Sequence, residues 1–531
     1  MSSIFVSAES LVKDRVLNQP DSTLSSTSKG FDPEQDAAAA IEMAADLLRE
    51  SRALQTPQER RQQSELDRMI GHDADKATLV EMTDQAFRTH TPARVADQMT
   101  HLLDLQGIPR FFSPVEQAML KGFQSFGEYL PGVAVPLVKE KMRRETANVI
   151  LPAEPDLLTP HLASRQRHGV AMNVNLLGEA LLGDDETRKR MQSFYELLRM
   201  PEVRCISVKL TTLYSQVSPL AREHTIRMVA DRLERLYRNA NHMDDGSKAK
   251  DKFVYLDMEE YSDLYLTADV LRETLERDDL ESVQAGIALQ AYVPDSCLVM
   301  RDLIEWSTKR VADGGAPLTI RLVKGANLEM ERVHASVGGW PLAPYTNKHD
   351  TDANFKRMLW ELITAAADGN IRVGVASHNL FDVALAMIWT QRSGASDSVQ
   401  FEMLEGMANH QRRALTERDA AMLLYAPACT KSDFLHAITY LIRRLDENTG
   451  AENFLRHAYR LQPDTPDFEL LAGRFKDALM DCKTVSVQPR RNTGRSLSTN
   501  RTQIGRCLTI QIGHKKHWIV GNLFATSRQL A

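Results

Sequence analysis

From about residue 35 to residue 150 the apolar positions keep a helical rhythm. Ala37 to Leu54 is rich in Ala and Leu. Thr56-Pro57-Gln58-Glu59 and Ser113-Pro114-Val115-Glu116 have the form of capping boxes, and Thr91-Pro92 opens a helix that Gly107 closes. Prolines 152, 155 and 160 mark a linker, and beyond them the rhythm changes. Short β-prone runs now alternate with amphipathic helical stretches: His168–Asn175, Val203–Lys209, Phe253–Asp257, Gly286–Tyr292, Leu318–Val323, Val373–Ser377, Val399–Leu404 and Met422–Tyr425. Strand–helix alternation implies parallel strands, and eight such units predict a closed (β/α)8 barrel, an α/β fold preceded by an α-helical domain.

The predicted organisation is a flexible Ser-rich arm at 1–34, a helical wrapping or dimerisation domain at 35–150, a barrel with C-terminal helices at 151–481 and a basic tail at 482–531. Two helices are expected near 451–461 and 467–481. The tail carries Arg490, Arg491, Arg495 and Lys515 among other cations, and no Asp or Glu.

Composition narrows the class. Of 531 residues, 43% are hydrophobic and 26% charged, as in a soluble globular protein with a sizeable core. A net charge of -6 argues against general nucleic-acid binding. Cys205, Cys297, Cys429, Cys482 and Cys507 are scattered without a CxxC pair, which fits a reducing compartment, hence the cytoplasm, and no zinc or iron–sulfur site. No apolar run is long enough to span a bilayer, and the N-terminus lacks a secretory h-region.

Barrel strands deliver side chains to one mouth whatever their separation in sequence. Reading each run to its end gives Lys209, Asp257, Gln290 with Tyr292, Arg321 with Lys324, His378 with Asn379, and Tyr425. One charged strand end is commonly a rim salt bridge; six polar ends point to a shared site. In Arg321-Leu322-Val323-Lys324-Gly325, the glycine allows close backbone approach, and the cations suit an electron-accepting ring edge and a pyrophosphate. There is no GxGxxG fingerprint for a Rossmann site. Further on, helical spacing brings Tyr440 beside Arg444 and Arg443 beside Glu447. A guanidinium pair so placed suits a small carboxylate.

These segments occur in an order that resembles the proline dehydrogenase family, specifically the proline dehydrogenase half of the bacterial bifunctional proline-oxidising enzymes. Over about residues 110–480 the motifs are Leu177-Gly178-Glu179-Ala180, Ile206-Ser207-Val208-Lys209, Leu256-Asp257-Met258-Glu259, Leu289-Gln290-Ala291-Tyr292, Arg321–Gly325, Ser377-His378-Asn379, Phe401-Glu402-Met403-Leu404, Tyr425-Ala426-Pro427 and Arg443-Arg444-x-x-Glu447. The resemblance implies FAD-dependent oxidation of L-proline to 1-pyrroline-5-carboxylate, the first step toward glutamate, by hydride transfer to flavin N5. It implies that Arg443, Arg444 and Lys209 fix the proline carboxylate, with Glu447, Glu179 and Asp257 holding those cations. Leu404, Tyr425 and Tyr440 would pack on the ring. Gln290, Tyr292, Arg321, Lys324, Gly325, Ser377, His378, Asn379 and Glu402 would form the FAD site. Electrons would pass to a membrane quinone, with peripheral contact at the inner face of the membrane, and the helical domain would serve a homodimer.

Two departures accompany the resemblance. Asn327 stands where some members carry an aromatic. The bifunctional members continue into an NAD-dependent aldehyde dehydrogenase domain, whereas this sequence stops at Ala531, so no aldehyde dehydrogenase activity is expected. Two other readings stay open: a different FAD barrel oxidoreductase, similar to methylenetetrahydrofolate reductase, and an inactive remnant of a bifunctional enzyme.

Overall fold

The computed structural model describes residues 30–491, apart from 71–72, 90, 111, 179–182, 242–251, 435–436, 438–439, 441–452 and 459–460. Most of the arm at 1–34 and of the tail at 482–531 therefore lies outside the described residues.

Helix α1 (Pro33–Ala53) starts where the Asp32 carboxylate accepts from the Glu34 and Gln35 backbone N–H groups, and it buries an alanine-rich face, Ala37, Ala40 and Ala44. Small residues let it lie close against the barrel's outer helices. Helices α2 (Pro57–Ile70), α3 (Asp73–Asp84), α4 (Pro92–Gln106), α5 (Pro114–Phe126) and α6 (Pro131–Thr146) follow. Both expected capping boxes form: Thr56 with Glu59, and Ser113 with Glu116. Val95, Met99, Leu103, Phe123 and Val135 build a core separate from that of the barrel.

The expected prolines are not in an unstructured linker. Pro152 lies in the two-residue strand β1 (Leu151–Pro152), Pro155 opens α7 (Pro155–Arg167) and Pro160 sits inside that helix. Proline at the first helical position costs no hydrogen bond, which is why it starts the helix. The barrel then runs β2 (Ala171–Leu176), α8 (Asp184–Arg199), β3 (Cys205–Lys209), α9 (Leu210–Leu213), α10 (Arg222–Ala240), β4 (Phe253–Asp257), α11 (Leu264–Leu275), β5 (Ala285–Gln290), α12 (Asp295–Ala312), β6 (Leu318–Val323), α13 (Leu328–Gly338), α14 (Lys348–Ala367), β7 (Ile371–Ala376), α15 (Leu380–Ser393), β8 (Val399–Leu404), α16 (Asn409–Glu417) and β9 (Met422–Cys429). Helices α17 (Phe454–Ala458) and α18 (Pro466–Met480) follow.

Strands β2 to β9 pair in sequence order, all parallel, and β9 closes the ring onto β2. β1 adds two residues beside the end of β9. The alternation expected of a barrel wall is clear. Val254, Leu256, Ile320, Leu322, Val373 and Val375 are fully buried in the main hydrophobic core. Between them stand Tyr255, Arg321 and Gly374, on the opposite face of their strands, toward the barrel axis. The interior is thus polar and aromatic, and it opens at the C-terminal ends of the strands.

Residues 482–491, assigned to the tail from composition, pack on this body. Arg357 Nε donates to the Cys482 carbonyl oxygen at 2.7 Å, and Tyr345 Oη to that of Ser486 at 2.5 Å. The Arg491 guanidinium lies over the Tyr261 and Trp340 rings.

Candidate functional site

A cavity of about 450 Å³ lies beside the C-terminal segment, but the larger one, about 920 Å³, opens at the barrel mouth. Lys209, Asp257, Gln290, Tyr292, Arg321, Lys324, Gly325, Ser377, His378, Asn379, Glu402, Leu404, Tyr425 and Tyr440 all line the second. These predicted residues come from the seven strands β3 to β9 and the loops after them, so the fold brings them together. Glu179, Arg443, Arg444 and Glu447 lie outside the described residues.

Arg321 is the electrostatic centre. Its Nε donates to Glu402 Oε2 at 2.5 Å and its Nη1 to Asp257 Oδ1 at 2.8 Å. Burial alone would lower its pKa, but the Glu402 and Asp257 carboxylates overcome this and raise it, so the guanidinium stays charged. Its Nη2 is buried without a hydrogen-bond partner among the described residues. A buried donor left this way is costly unless a ligand accepts from it.

Asp257 does not hold Lys209, as the resemblance implied. Asp257 is engaged by Arg321 and by the Tyr425 hydroxyl, at 3.1 Å. Lys209 Nζ instead donates to Glu259 Oε1 at 2.5 Å. The reason is charge demand inside the barrel: a buried guanidinium needs carboxylates, and Asp257 reaches it, which leaves Lys209 to the next acidic residue along the loop. Glu259 itself is held in place by Gln290, whose amide donates to the Met258 and Glu259 carbonyl oxygens. Asn327, the position of the noted departure, donates to the same Glu259 carbonyl at 2.9 Å.

At the other end of the cavity Lys324 Nζ pairs with Asp352 at 2.5 Å and Asp382 at 2.7 Å. Lys348 also pairs with Asp352, and Lys356 with Asp382 at 3.1 Å. Burial opposes the charge on Lys324, but Asp352 and Asp382 outweigh it and raise its pKa. Lys348 is pushed the other way, by burial and then by Lys324. Three ammonium groups against two carboxylates leave this end net positive, which suits a phosphate-bearing ligand. Gly325 adopts φ +131, and a Cβ there would press into the Tyr292 ring, so only glycine permits this close approach.

Ser377, His378 and Asn379 are ordered by local bonds. Ser377 Oγ accepts from the Asn379 N–H, and Asn379 Oδ1 caps α15 through the Phe381 N–H, both at 3.1 Å. The Leu404 N–H donates to His378 Nε2 at 3.0 Å, so the ring proton is on Nδ1.

Sequence reasoning missed Glu259, Lys348, Asp352, Asp382, Tyr255 and Gln400. Lys348 and Asp352 carried a signal, four residues apart on one helix. Asp382 carried none, because its lysine partners stand on other elements, and Gln400, two residues from Glu402 on the same strand, meets Tyr255 only through the fold.

The unpartnered Nη2 of Arg321, the glycine cradle and the net-positive lysine cluster beside one cavity fit a dinucleotide with an electron-accepting ring. Against the bovine (Bos taurus) protein named hydroxyproline dehydrogenase, the chain is 28% identical over 273 residues, covering 50% of this chain and 54% of that one. Proline utilization A from Corynebacterium freiburgense matches 71% of this chain and 36% of its own, at 35% identity and a TM-score of 0.60. The fold also matches proline utilization A from Bdellovibrio bacteriovorus, at a TM-score of 0.69 and 24% identity, over 90% of this chain and 48% of that one. The chain thus spans about half or less of the length of each. The sequence pattern of the proline dehydrogenase family matches residues 158–457, more than half of the chain, and the chain belongs to that family.

Proposed function

We propose that the chain oxidises L-proline to 1-pyrroline-5-carboxylate with FAD as cofactor and a membrane quinone as the electron acceptor. The observation that carries this is the single cavity with Arg321 between two carboxylates at one end and the Lys324–Lys348 cluster at the other. Arg321, Lys324, Gly325, Lys348, Ser377, His378 and Asn379 would hold FAD, which when bound supplies the two-electron acceptor for oxidation of the substrate's C–N bond.

The chain's own residues bind and orient. Lys209, steadied by Glu259, offers a cation to the substrate carboxylate, and by resemblance Arg443 and Arg444 complete that grip. Tyr425, anchored on Asp257, presents its ring to the cavity, and Leu404 and Tyr440 supply further walls that exclude water. Positioning of this kind contributes a large part of the rate.

Peripheral membrane contact at the inner face and a cytoplasmic location belong to the same proposal. Among the described residues no helix is long and apolar enough to cross a membrane. A homodimer is proposed through the helical domain, supported by the exposed Phe126, Tyr129, Leu130 and Leu137 of α5, α6 and the turn between them.

The test is anaerobic titration of the purified, FAD-loaded chain with L-proline, with hydroxyproline in parallel. Bleaching of the flavin band by L-proline is expected. A flavin bleached by NADH and untouched by either imino acid would favour the other FAD barrel oxidoreductase. A folded chain that takes up no FAD would favour the inactive remnant.

A further inference from the structure

Tyr255 belongs to none of the motifs above, yet the barrel interior is built around it. It stands midway along β4, fully buried, with its ring against the face of the Arg321 guanidinium, 3.7 Å from carbon to ring centroid. Its hydroxyl donates to Glu402 Oε1 at 2.8 Å, and Glu402 Oε2 in turn takes Arg321 Nε. Gln400 donates to both the Tyr255 hydroxyl, at 3.1 Å, and Glu402 Oε1, at 3.0 Å. Two other strands, β5 beside β4 and β7 beside β8, leave out side chains to make room. A Cβ on Gly286 of β5 would overlap the Tyr255 ring, and one on Gly374 of β7 would overlap the Glu402 carboxylate.

Tyr255 thus acts on Arg321 twice, through its face and through its hydroxyl. A cation over an aromatic face is attracted to it, more strongly when desolvated. The hydroxyl proton also tempers the Glu402 carboxylate, which would otherwise compete for the positive field of Arg321. Arg321 keeps one buried nitrogen, Nη2, unpartnered among the described residues, on a side chain that lines the cavity. We propose that Tyr255 is a positioning residue: it sets the place and effective charge of Arg321, and thereby the electron affinity of the flavin bound there. The inference rests on the FAD reading given above.

The experiment compares Tyr255→Phe and Tyr255→Leu with wild type in FAD content, reduction potential of the bound flavin, rate of flavin reduction by L-proline, KM and melting temperature. Tyr255→Phe keeps the ring and the volume and loses only the hydroxyl. It is expected to fold and load FAD, with a lower potential and a flavin-reduction rate down about threefold. Tyr255→Leu loses the face as well, and the rate is expected to fall about tenfold or more at nearly unchanged KM. Variants that differ from wild type in melting temperature alone, with the same potential and rate, would overturn the proposal. Should Tyr255→Leu not fold, an unchanged potential in Tyr255→Phe overturns it by itself. A wild-type chain that takes up no FAD overturns both this inference and the functional reading. One that takes up FAD but ignores proline overturns only the substrate, and the potential still decides the role of Tyr255.

Discussion

Asp295, in the first turn of α12, has no exposed surface and accepts from the hydroxyls of Tyr261, at 3.0 Å, and Tyr265, at 3.1 Å. Burial pushes its carboxyl up to about 6, and the two tyrosines and nearby Arg491 only partly offset this. The unfolded chain releases the same proton near pH 4, so between about 4 and 6 the folded state binds more protons and stability falls as pH rises. The loss is complete above 6 and amounts to at most about 3 kcal/mol. Asp295→Asn, which cannot ionise, is expected to melt higher than wild type at pH 7.5, with the gain gone at pH 4. Equal gains at both pH values would count against this account. A second residue prediction concerns the guanidinium pair. Arg444→Met is expected to lower kcat/KM for proline about ten- to a hundredfold, the equivalent of about 1.5–3 kcal/mol, with FAD content unchanged. Lysine there should not fully restore it, because it lacks the bidentate fork. Near-native efficiency in the Met variant, measured by proline-dependent dye reduction, would show the pair to be an ordinary surface feature. At this scale the sequence showed which strand-end residues meet, because position on a strand decides that. It did not show who pairs with whom: Lys209 with Glu259 rather than Asp257 depends on where a buried arginine from another strand comes to rest.

Elements were more legible than pairings. Three strands, β4, β6 and β8, have the predicted bounds, because apolar runs with turn residues at both ends define them locally. β2 was placed too early, since His168 and Gly169 finish α7, with Gly169 at φ +70. β9 was cut short at Tyr425, whereas it runs to Cys429 because β1 and β2 continue to pair with it, which only the fold reveals. The loop after β8 carries a prediction of its own. Gly406 has φ +78, and a Cβ there would overlap the Asn148 carbonyl oxygen just after α6. Gly107 has a similar φ, +79, with nothing within 4 Å of such a Cβ. Gly107→Ala, at φ 79 and ψ 176, is therefore expected to cost about 1–3 kcal/mol, for backbone strain alone. Gly406→Ala should cost about 1–3 kcal/mol more, for the clash. Thermal melts of both variants check the difference; equal losses would mean the loop gives way freely.

Across the whole molecule, the helical domain does more than precede the barrel. Its core takes in Cys429 at the end of β9, then Phe434, Ala437 and, partly buried, Tyr440 of the segment that enters the site. The domain thus buttresses a wall of the cavity. Leu103→Ala, buried in that core and not among the residues that line the cavity, is expected to cost about 2–4 kcal/mol. It should also raise KM for proline while FAD content holds, as steady-state kinetics beside a flavin spectrum will show; a stability loss with unchanged KM would separate domain and site. The glycines facing Tyr255 have a consequence of another kind, in the order in which substitutions can accumulate. While Tyr255 and Glu402 stand, no larger side chain fits at Gly286 or Gly374. Once Tyr255 has shrunk, the edge of the Phe253 ring, 2.9 Å from such a Cβ, need only shift slightly for a methyl group at Gly286 to refill the space it left. A change harmful on the original background thereby becomes favourable, and return to tyrosine is blocked. Variation at these positions should therefore move together in descendants of this chain, along a path that history can take in one direction only.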